Sequence, residues 1–103
     1  MYKVSVMYPN EEGVQFDLDY YRNTHMKLVE ENLKPFGLLR TAVDKGVSGG
    51  AGQPPPFVCM GHLFFESADG YDEGAKSIGT VLRDDIANFT NVTPTRIIWE
   101  ELD

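Results

Sequence analysis

The sequence has little cysteine, little basic charge and no long apolar run, and each shortage excludes a class of protein. Cys59 is the only cysteine among 103 residues, so the chain is not a disulfide-stabilised secreted scaffold. Nine lysines and arginines against 16 aspartates and glutamates give a net charge of −7. Because the basic residues never cluster, we expect neither nucleic acid nor an anionic membrane as a partner. The amino terminus turns polar within a few residues, which predicts no signal peptide, no membrane span and a cytoplasmic location.

The rest of the composition is that of an ordinary globular protein, with 42% hydrophobic and 12% aromatic residues. The length allows one domain, residues 1–103, and not two. A core of this size is modest, so covering one sheet face with a second subunit would add stability.

Four strand-like and two helix-like segments follow one another along the chain. Period-two alternation and turn residues predict strands at 2–8, 38–47, 57–66 and 96–102. Helical spacing predicts helices over about 17–36, ended by Gly37, and over about 67–89. The order β-α-β-β-α-β predicts an α+β, ferredoxin-like fold, in which two helices cover one face of a four-stranded antiparallel sheet.

The third strand is apolar on both faces, although helices are expected to cover only one. A strand of this kind must be covered on both sides. We therefore predict a homodimer in which two sheets pack face to face. One face carries Phe57, Cys59, Leu63 and Phe65, and the other Val58, Met60 and Phe64.

The apolar positions of the first helix form one stripe that contains a histidine. At the period of an α-helix, His25 lies in the middle of the stripe and faces the sheet, while Lys27 and Glu30 lie on the opposite side. The stripe consists of Leu18, Tyr21, His25, Leu28, Val29, Asn32 and Phe36.

The residues alone leave two roles open for His25. A buried polar side chain costs free energy unless a partner satisfies it, so His25 can be a core histidine with a hydrogen bond. It can instead be a general acid/base, because the reference pKa of histidine, about 6.5, is close to neutral pH. The candidate partners are Tyr8, Tyr20, Tyr21, Thr24 and His62.

The second histidine, His62, lies in the third strand on the face of Met60 and Phe64. If this face meets the helices, His62 can approach His25, and if it meets a second subunit, His62 is an interface residue. Alternation leaves both possibilities open. The same holds for Arg40, which can bind an anionic ligand or form a surface salt bridge.

No metal or cofactor signature is present. Two histidines and one cysteine lack the ligand spacing of a zinc site. The glycines of residues 49–52 come just before three prolines, so they do not open a phosphate-binding helix. Cys59 has no activating base nearby in the sequence and is expected to be a small buried hydrophobe. We therefore expect no metal and no cofactor.

Two segments resemble a known family. Residues 16–33, FDLDYYRNTHMKLVEENL, resemble the signature of the EthD family of dimeric α/β-barrel proteins, which reads close to YY-x-x-T-H-M-P-L-V. Residues 84–94, DDIANFTNVTP, resemble the family's Asp-Ile-Pro-Asn-Phe-Thr segment. The resemblance implies a ferredoxin-like subunit that dimerises through its sheet, with a cavity between the sheet and the helices.

The resemblance also carries functional expectations. The family is named after bacterial degradation of ethyl tert-butyl ether, where its founding member accompanies a monooxygenase system. Related dimeric barrels include cofactor-free oxygenases, isomerases and polyketide cyclases. The expected protein binds a small molecule, as an enzyme or accessory protein in the degradation of a small hydrophobic compound (an ether, aromatic or phenol). Alternatives are a non-catalytic carrier of a hydrophobic intermediate and a haem-binding protein that uses His25 as the axial ligand.

The family's histidine corresponds to His25, the expected general acid/base, and Tyr21 is the second expected catalytic residue. At two positions the chain departs from the family pattern, with Lys27 and Ala87 in place of prolines. Without a proline at Lys27, we expect a straighter turn after His25. The expected ligand-binding residues are Tyr8, Thr24, Leu28, Asn32, His62 and Phe64.

Overall fold

The computed structural model describes residues 1–102 and confirms the ferredoxin-like fold. Its four strands form one open antiparallel sheet in the order β2-β3-β1-β4. The strands are β1 (Tyr2–Pro9), β2 (Leu38–Lys45), β3 (Phe57–Phe65) and β4 (Thr95–Glu100).

Both helices lie on one face of the sheet. The first helix joins an α-helical turn (Leu18–Tyr20), a π-helical turn (Tyr21–His25), an α-helix (Met26–Leu33) and a 3₁₀ turn (Lys34–Phe36). The second helix is α-helical over Asp69–Asp85 and ends in a 3₁₀ turn, Ile86–Asn88. No helix within residues 1–102 is long and apolar enough to cross a membrane.

Local sequence explains where the first helix begins and ends. The Asp17 side chain accepts a hydrogen bond from the Tyr20 backbone N–H, which satisfies one of the donors left without a partner at a helix start. Gly37 ends the helix with a φ of 95°, in the left-handed region that glycine adopts without strain. Beyond His25 the chain is regular α-helix, as expected from Lys27, and the irregular turn lies before it.

The π-helical turn shifts the buried stripe of the first helix by one residue. The Met26 backbone N–H donates to the Tyr21 carbonyl, five residues back instead of four. Tyr21 and His25 remain buried, but every later position is displaced by the extra residue. The buried residues beyond His25 are Met26, Val29 and Leu33.

The core lies between the sheet and the helices, where the inward residues of β1 and β3 meet the buried stripe. The two helices approach closely at Gly74, where any side chain would collide with Leu33. Val58, predicted to share a face with Met60, instead packs against this core. The pairing of β1 with β3 is irregular beside it, between Tyr8 and Pro9, and strict alternation is lost there.

The opposite side of the sheet, called the open face here, carries no helix. Ile97 and Trp99 on this face are 38% and 44% exposed. Phe64 is half-buried there, with the Arg40 guanidinium 3.8 Å from the centre of its ring. The open face also includes Ser5, Met7, Ala42, Asp44, Met60 and His62.

Candidate functional site

A small cavity of about 60 Å³ lies between the helix-covered face of the sheet and the two helices. Three strands, β1, β3 and β4, and both helices contribute residues to it, and the π-helical turn supplies two of them. Its lining is Val6, Tyr8, Tyr21, His25, Met26, Val29, Gly61, Leu63, Tyr71, Gly79, Leu82, Arg83, Ile86 and Arg96.

Asp85, at the end of the second helix, holds the imidazole of His25. His25 Nδ1 lies 2.8 Å from Asp85 Oδ2. The other carboxylate oxygen accepts hydrogen bonds from the Tyr20 hydroxyl at 2.7 Å and from the Asn88 amide at 2.9 Å. Because an ionised carboxylate can only accept, the proton of the neutral imidazole lies on Nδ1 and points to Asp85.

The other imidazole nitrogen, Nε2, is open to the cavity. With Nδ1 protonated, the lone pair of neutral His25 is on Nε2. Within residues 1–102, every fully buried side-chain nitrogen or oxygen has a hydrogen-bond partner. Nε2 of His25 has no partner among these residues, so this atom is not fully buried. Nε2 is therefore accessible from the cavity that His25 lines.

Burial and hydrogen bonding set the protonation states of this pair. Burial lowers the pKa of His25 below its ordinary value of 6.5, against the opposing effect of Asp85. Burial would raise the pKa of Asp85, but the hydrogen bonds from Tyr20, Asn88 and His25 lower it below 3.8. At neutral pH the pair is accordingly a neutral imidazole oriented by a carboxylate, which is the arrangement of a general base.

Two buried phenols stand beside the imidazole. The Tyr21 ring stacks on His25 with centroids 5.5 Å apart, and the Tyr8 ring meets Tyr21 edge to face at 5.4 Å. Burial raises the pKa of both phenols well above the ordinary value of 10.0. Both hydroxyls therefore keep their protons and can donate hydrogen bonds. A side chain at Gly61 would collide with the Tyr21 hydroxyl, so this glycine is what lets the ring reach the sheet.

Two arginines, which the sequence did not single out, also line the cavity. Arg96 lies on β4 opposite Val6 and so faces the helices, and Arg83 lies in the last turn of the second helix. Neither guanidinium forms an ion pair with a carboxylate of residues 1–102. Alternation along β4 already places Arg96 on one face with Ile98, but only the structure shows that this face meets the helices.

Of the predicted site residues, His25, Tyr21 and Tyr8 come together in the cavity lining. Three others from the first helix do not line the cavity: Thr24 is exposed, whereas Leu28 and Asn32 are half-buried. The Asn32 amide donates to the backbone carbonyl of Leu28. The π-helical turn is the physical reason, because its extra residue rotates Leu28 and Asn32 away from the sheet.

The remaining two predicted residues, His62 and Phe64, lie on the open face, on the other side of the sheet from His25. The Trp99 indole donates to Ser5 Oγ at 2.8 Å, and His62 Nδ1 lies 2.8 Å from the same oxygen. His62 Nε2 lies 2.9 Å from an Asp44 carboxylate oxygen. Since indole only donates and carboxylate only accepts, the hydrogen bonds run from Trp99 through Ser5 and His62 to Asp44.

Residues 1–102 contain neither a cluster of metal ligands nor a reactive thiol. No three or more histidine, cysteine, aspartate or glutamate side chains within residues 1–102 are grouped to hold a metal ion. Cys59 is buried, and burial raises the pKa of its thiol to about 12. It packs as a small hydrophobe, because a thiol in this state is not nucleophilic at neutral pH.

Comparison with known proteins relates this architecture to solved structures. No family model matches the chain, and no curated protein does. An EthD-like protein from Ralstonia eutropha is 38% identical, with a TM-score of 0.90 over 96% of this chain and 89% of its own. An ethyl tert-butyl ether degradation (EthD) family protein from Bacillus halodurans is 23% identical, with a TM-score of 0.75 over 99% of each chain.

A more distant match has the same fold. It is a dimeric protein of ferredoxin-like fold from Bacteroides fragilis, 8% identical, with a TM-score of 0.50 over 97% of this chain and 94% of its own. The Ralstonia likeness extends well beyond fold, since more than a third of the residues are identical over nearly the whole of both chains. The chain belongs to the EthD family.

Proposed function

We propose that this protein transfers a proton to or from a small hydrophobic compound, as an enzyme or enzyme accessory in the degradation of an ether, aromatic or phenol. The observation that carries the proposal is the orientation of His25. Its Nδ1 is held 2.8 Å from Asp85 while Nε2 opens to the cavity. A histidine with only a structural role would be satisfied by the hydrogen bond to Asp85, but it would not need a second nitrogen open to the cavity.

In the proposed reaction His25 is the general base. Its lowered pKa keeps the imidazole unprotonated at neutral pH, so Nε2 accepts a proton from a carbon next to a carbonyl group, or from a phenol. The electron pair of the broken C–H bond moves onto the carbonyl oxygen, which becomes an enolate. Asp85 stabilises the imidazolium that forms. Isomerisation, cyclisation and cofactor-free oxygenation can all begin from such an enolate.

Tyr21 and Tyr8 complete the proposed site as hydrogen-bond donors. Their raised pKa values keep the O–H groups intact. Donors preorganised toward an oxygen that becomes negative stabilise the transition state more than the ground state. The Tyr21 ring is in direct contact with the base, since it stacks on the His25 imidazole.

The size of the cavity restricts the ligand and argues against haem. About 60 Å³ is well below the roughly 300–1,000 Å³ of pockets that enclose drug-sized ligands. The enclosed space holds only a few heavy atoms, so a compact ligand of about one ring fits with part of it at the exposed edge beside Arg96, whereas a porphyrin does not fit. A non-catalytic carrier would use the same cavity, and it differs from an enzyme only in leaving the ligand's protons in place.

The functional unit in this proposal is a homodimer that buries the open face. Ile97 and Trp99 expose large apolar surface on that face, and a continuous apolar patch on a small protein marks an interaction site. The dimeric Bacteroides protein of the same fold supports this arrangement. A two-fold axis through the open face places the cavities on the outer sides of the two sheets, one in each subunit.

Hydrogen–deuterium exchange at carbon tests the proposed function. A panel of small enolisable ketones and phenols is incubated with the protein in D₂O, and loss of the exchangeable C–H signal is followed by NMR. We expect the wild-type protein to accelerate exchange for at least one compound. Replacing His25→Ala should lower the rate by about 10²–10⁴-fold, the usual contribution of a general base.

The matched control is His62→Ala, which removes the histidine on the other side of the sheet. It should exchange at the wild-type rate. An unchanged rate for His25→Ala would overturn the general-base role. Binding of a panel compound without any exchange would instead establish the carrier.

A further inference from the structure

We propose that Arg96 makes the cavity a receptor for an anionic oxygen, so that the ligand is a small carboxylate with an apolar body and not a neutral hydrocarbon or ether. This inference rests on the proposed function, since it names the class of substrate for the same site. It adds a binding residue from β4 that lies outside both family-like segments of the sequence.

The charged side chains that line the cavity are opposite in sign to the net charge of the whole protein. The chain has a net charge of −7, yet the cavity lining includes two arginines and no aspartate or glutamate. The nearest carboxylate to the histidine, Asp85, is already occupied by three hydrogen-bond donors. Local positive potential in an acidic protein is what a site for an anion requires.

Arg96 lies on β4, an edge strand of the sheet, on the side that faces the helices. It lies opposite Val6, so its side chain projects from the face of the sheet that otherwise carries apolar core residues such as Val4 and Leu63. Arg96 is nevertheless exposed, so its guanidinium keeps contact with water at the edge of the cavity that it lines. No carboxylate within residues 1–102 forms an ion pair with it, which leaves the guanidinium available to a ligand.

Arg96 is close enough to act together with the other polar groups of the cavity. Burial is the main cause of the altered pKa values of His25, Tyr8 and Tyr21, and the Arg96 charge also acts on each of them. A guanidinium binds a carboxylate with two parallel hydrogen bonds, which fixes the orientation of the ligand. The body of the ligand then lies toward Nε2 of His25 and the two phenols.

Arg83 has a second role that separates it from Arg96. It lies in the last turn of the second helix, where a positive side chain stabilises the helix dipole. Loss of Arg83 would therefore affect stability as well as any ligand. Arg96 is the residue whose replacement isolates the anion-binding function.

The test compares two probes of almost equal shape, benzoate and the neutral benzamide. Their affinities are measured by NMR titration of the ¹⁵N-labelled protein, with the His25 ring resonances as the reporter. We expect the wild-type protein to bind benzoate at least about tenfold more tightly than benzamide, as a charge-assisted hydrogen bond would give. Added salt should weaken benzoate binding and leave benzamide binding unchanged.

Arg96→Met keeps the length of the side chain and removes its charge. This variant should lose the preference for benzoate and retain the affinity for benzamide, which also shows that the cavity is still folded. The control Lys76→Met removes an exposed charge from the second helix away from the cavity lining and should keep the preference. Equal affinities of the wild-type protein for the two probes, or an undiminished preference in Arg96→Met, would overturn the inference.

Failure of this inference is distinguishable from failure of the proposed function. If C–H exchange depends on His25 but benzoate shows no preference, the site is a base without an anion receptor. If benzoate binding depends on Arg96 but no compound exchanges, the site binds anions without proton transfer.

Discussion

Asp85 keeps the proton of His25 on Nδ1 and so leaves the lone pair on Nε2, which is open to the cavity. The carboxylate of Asp85 is itself held by the Tyr20 hydroxyl and the Asn88 amide. The tautomer and the orientation of the imidazole therefore depend on a residue of the second helix that does not itself line the cavity.

The pH dependence of stability follows from the His25–Asp85 pair. The unfolded chain takes up a proton at the ordinary histidine pKa of 6.5 before the folded protein does, because burial lowers the pKa of folded His25. The free energy of unfolding should therefore fall as pH drops below 6.5, by at most about 1.4 kcal/mol per pH unit for this one proton. Asp85 adds a further loss at lower pH, below its ordinary value of 3.8.

Urea denaturation between about pH 7.5 and about pH 5 measures the histidine contribution. The midpoint should decrease less over this range in His25→Asn than in the wild-type protein. His62→Asn is the control that keeps the buried histidine and should retain the wild-type dependence. An equal or steeper decrease in His25→Asn would contradict the assignment.

The inward-facing residues of the site could be predicted from the sequence, whereas the partner of His25 could not. Burial periodicity alone identifies His25, Tyr21 and Tyr8 as inward-facing. Asp85 lies 60 residues from His25 and meets it only because the second helix packs beside the first. The sequence does contain a signal, since the part of residues 84–94 that resembles the family's Asp-Ile-Pro-Asn-Phe-Thr segment begins at Asp85.

At the scale of elements, the general architecture could be predicted and the fine rotation of the first helix could not. Alternation and turn residues gave the strand and helix order, because each follows from local chemistry. The π-helical turn at Tyr21–His25 has no such local signature. Its extra residue explains why Leu28 and Asn32, two members of the predicted stripe, are only half-buried. Met26 and Leu33 are buried instead, and Val29 keeps its predicted place.

The contact between the first helix and β3 depends on Gly61. Replacing Gly61→Ala would place a methyl group against the Tyr21 hydroxyl, in a buried region that cannot easily expand. Overpacking of this kind costs about 1–3 kcal/mol. Chemical denaturation should show this loss, and the His25 ring resonances should shift because Tyr21 stacks on that ring.

Gly79→Ala provides the matched control, because a methyl group there meets its nearest neighbour, Ala75, at an ordinary 3.8 Å. Alanine also favours a helix over glycine by about 1 kcal/mol, so this variant should be as stable as the wild type or more so. A stable Gly61→Ala with unmoved His25 resonances would show that Tyr21 does not need the space.

At the scale of the whole molecule, the open face is the surface through which the proposed dimer forms. Ile97 is 38% exposed on this face and Val81 is 47% exposed on the second helix, so the two residues present similar apolar surface at different places. Ile97→Lys should weaken the proposed dimer, because it places a charge in a desolvated interface. Val81→Lys should not.

Light scattering coupled to size-exclusion chromatography at micromolar concentration measures the effect. The expected masses are those of a dimer for the wild type and Val81→Lys, and of a monomer or a mixture for Ile97→Lys. A monomeric wild-type protein would remove the dimer from the proposal. The two apolar faces of β3 predict such an interface from the sequence, but only the sheet register shows which face His62 and Arg40 occupy.

The hydrogen-bonded chain across the open face also makes the protein its own optical probe. Trp99 is the only tryptophan in the chain, and its indole is anchored to Ser5 while part of the ring remains exposed. Indole emission responds to the polarity around the ring and to the hydrogen bond at Nε1. The proposed subunit association at this face can thus be followed in the native protein without attaching a label.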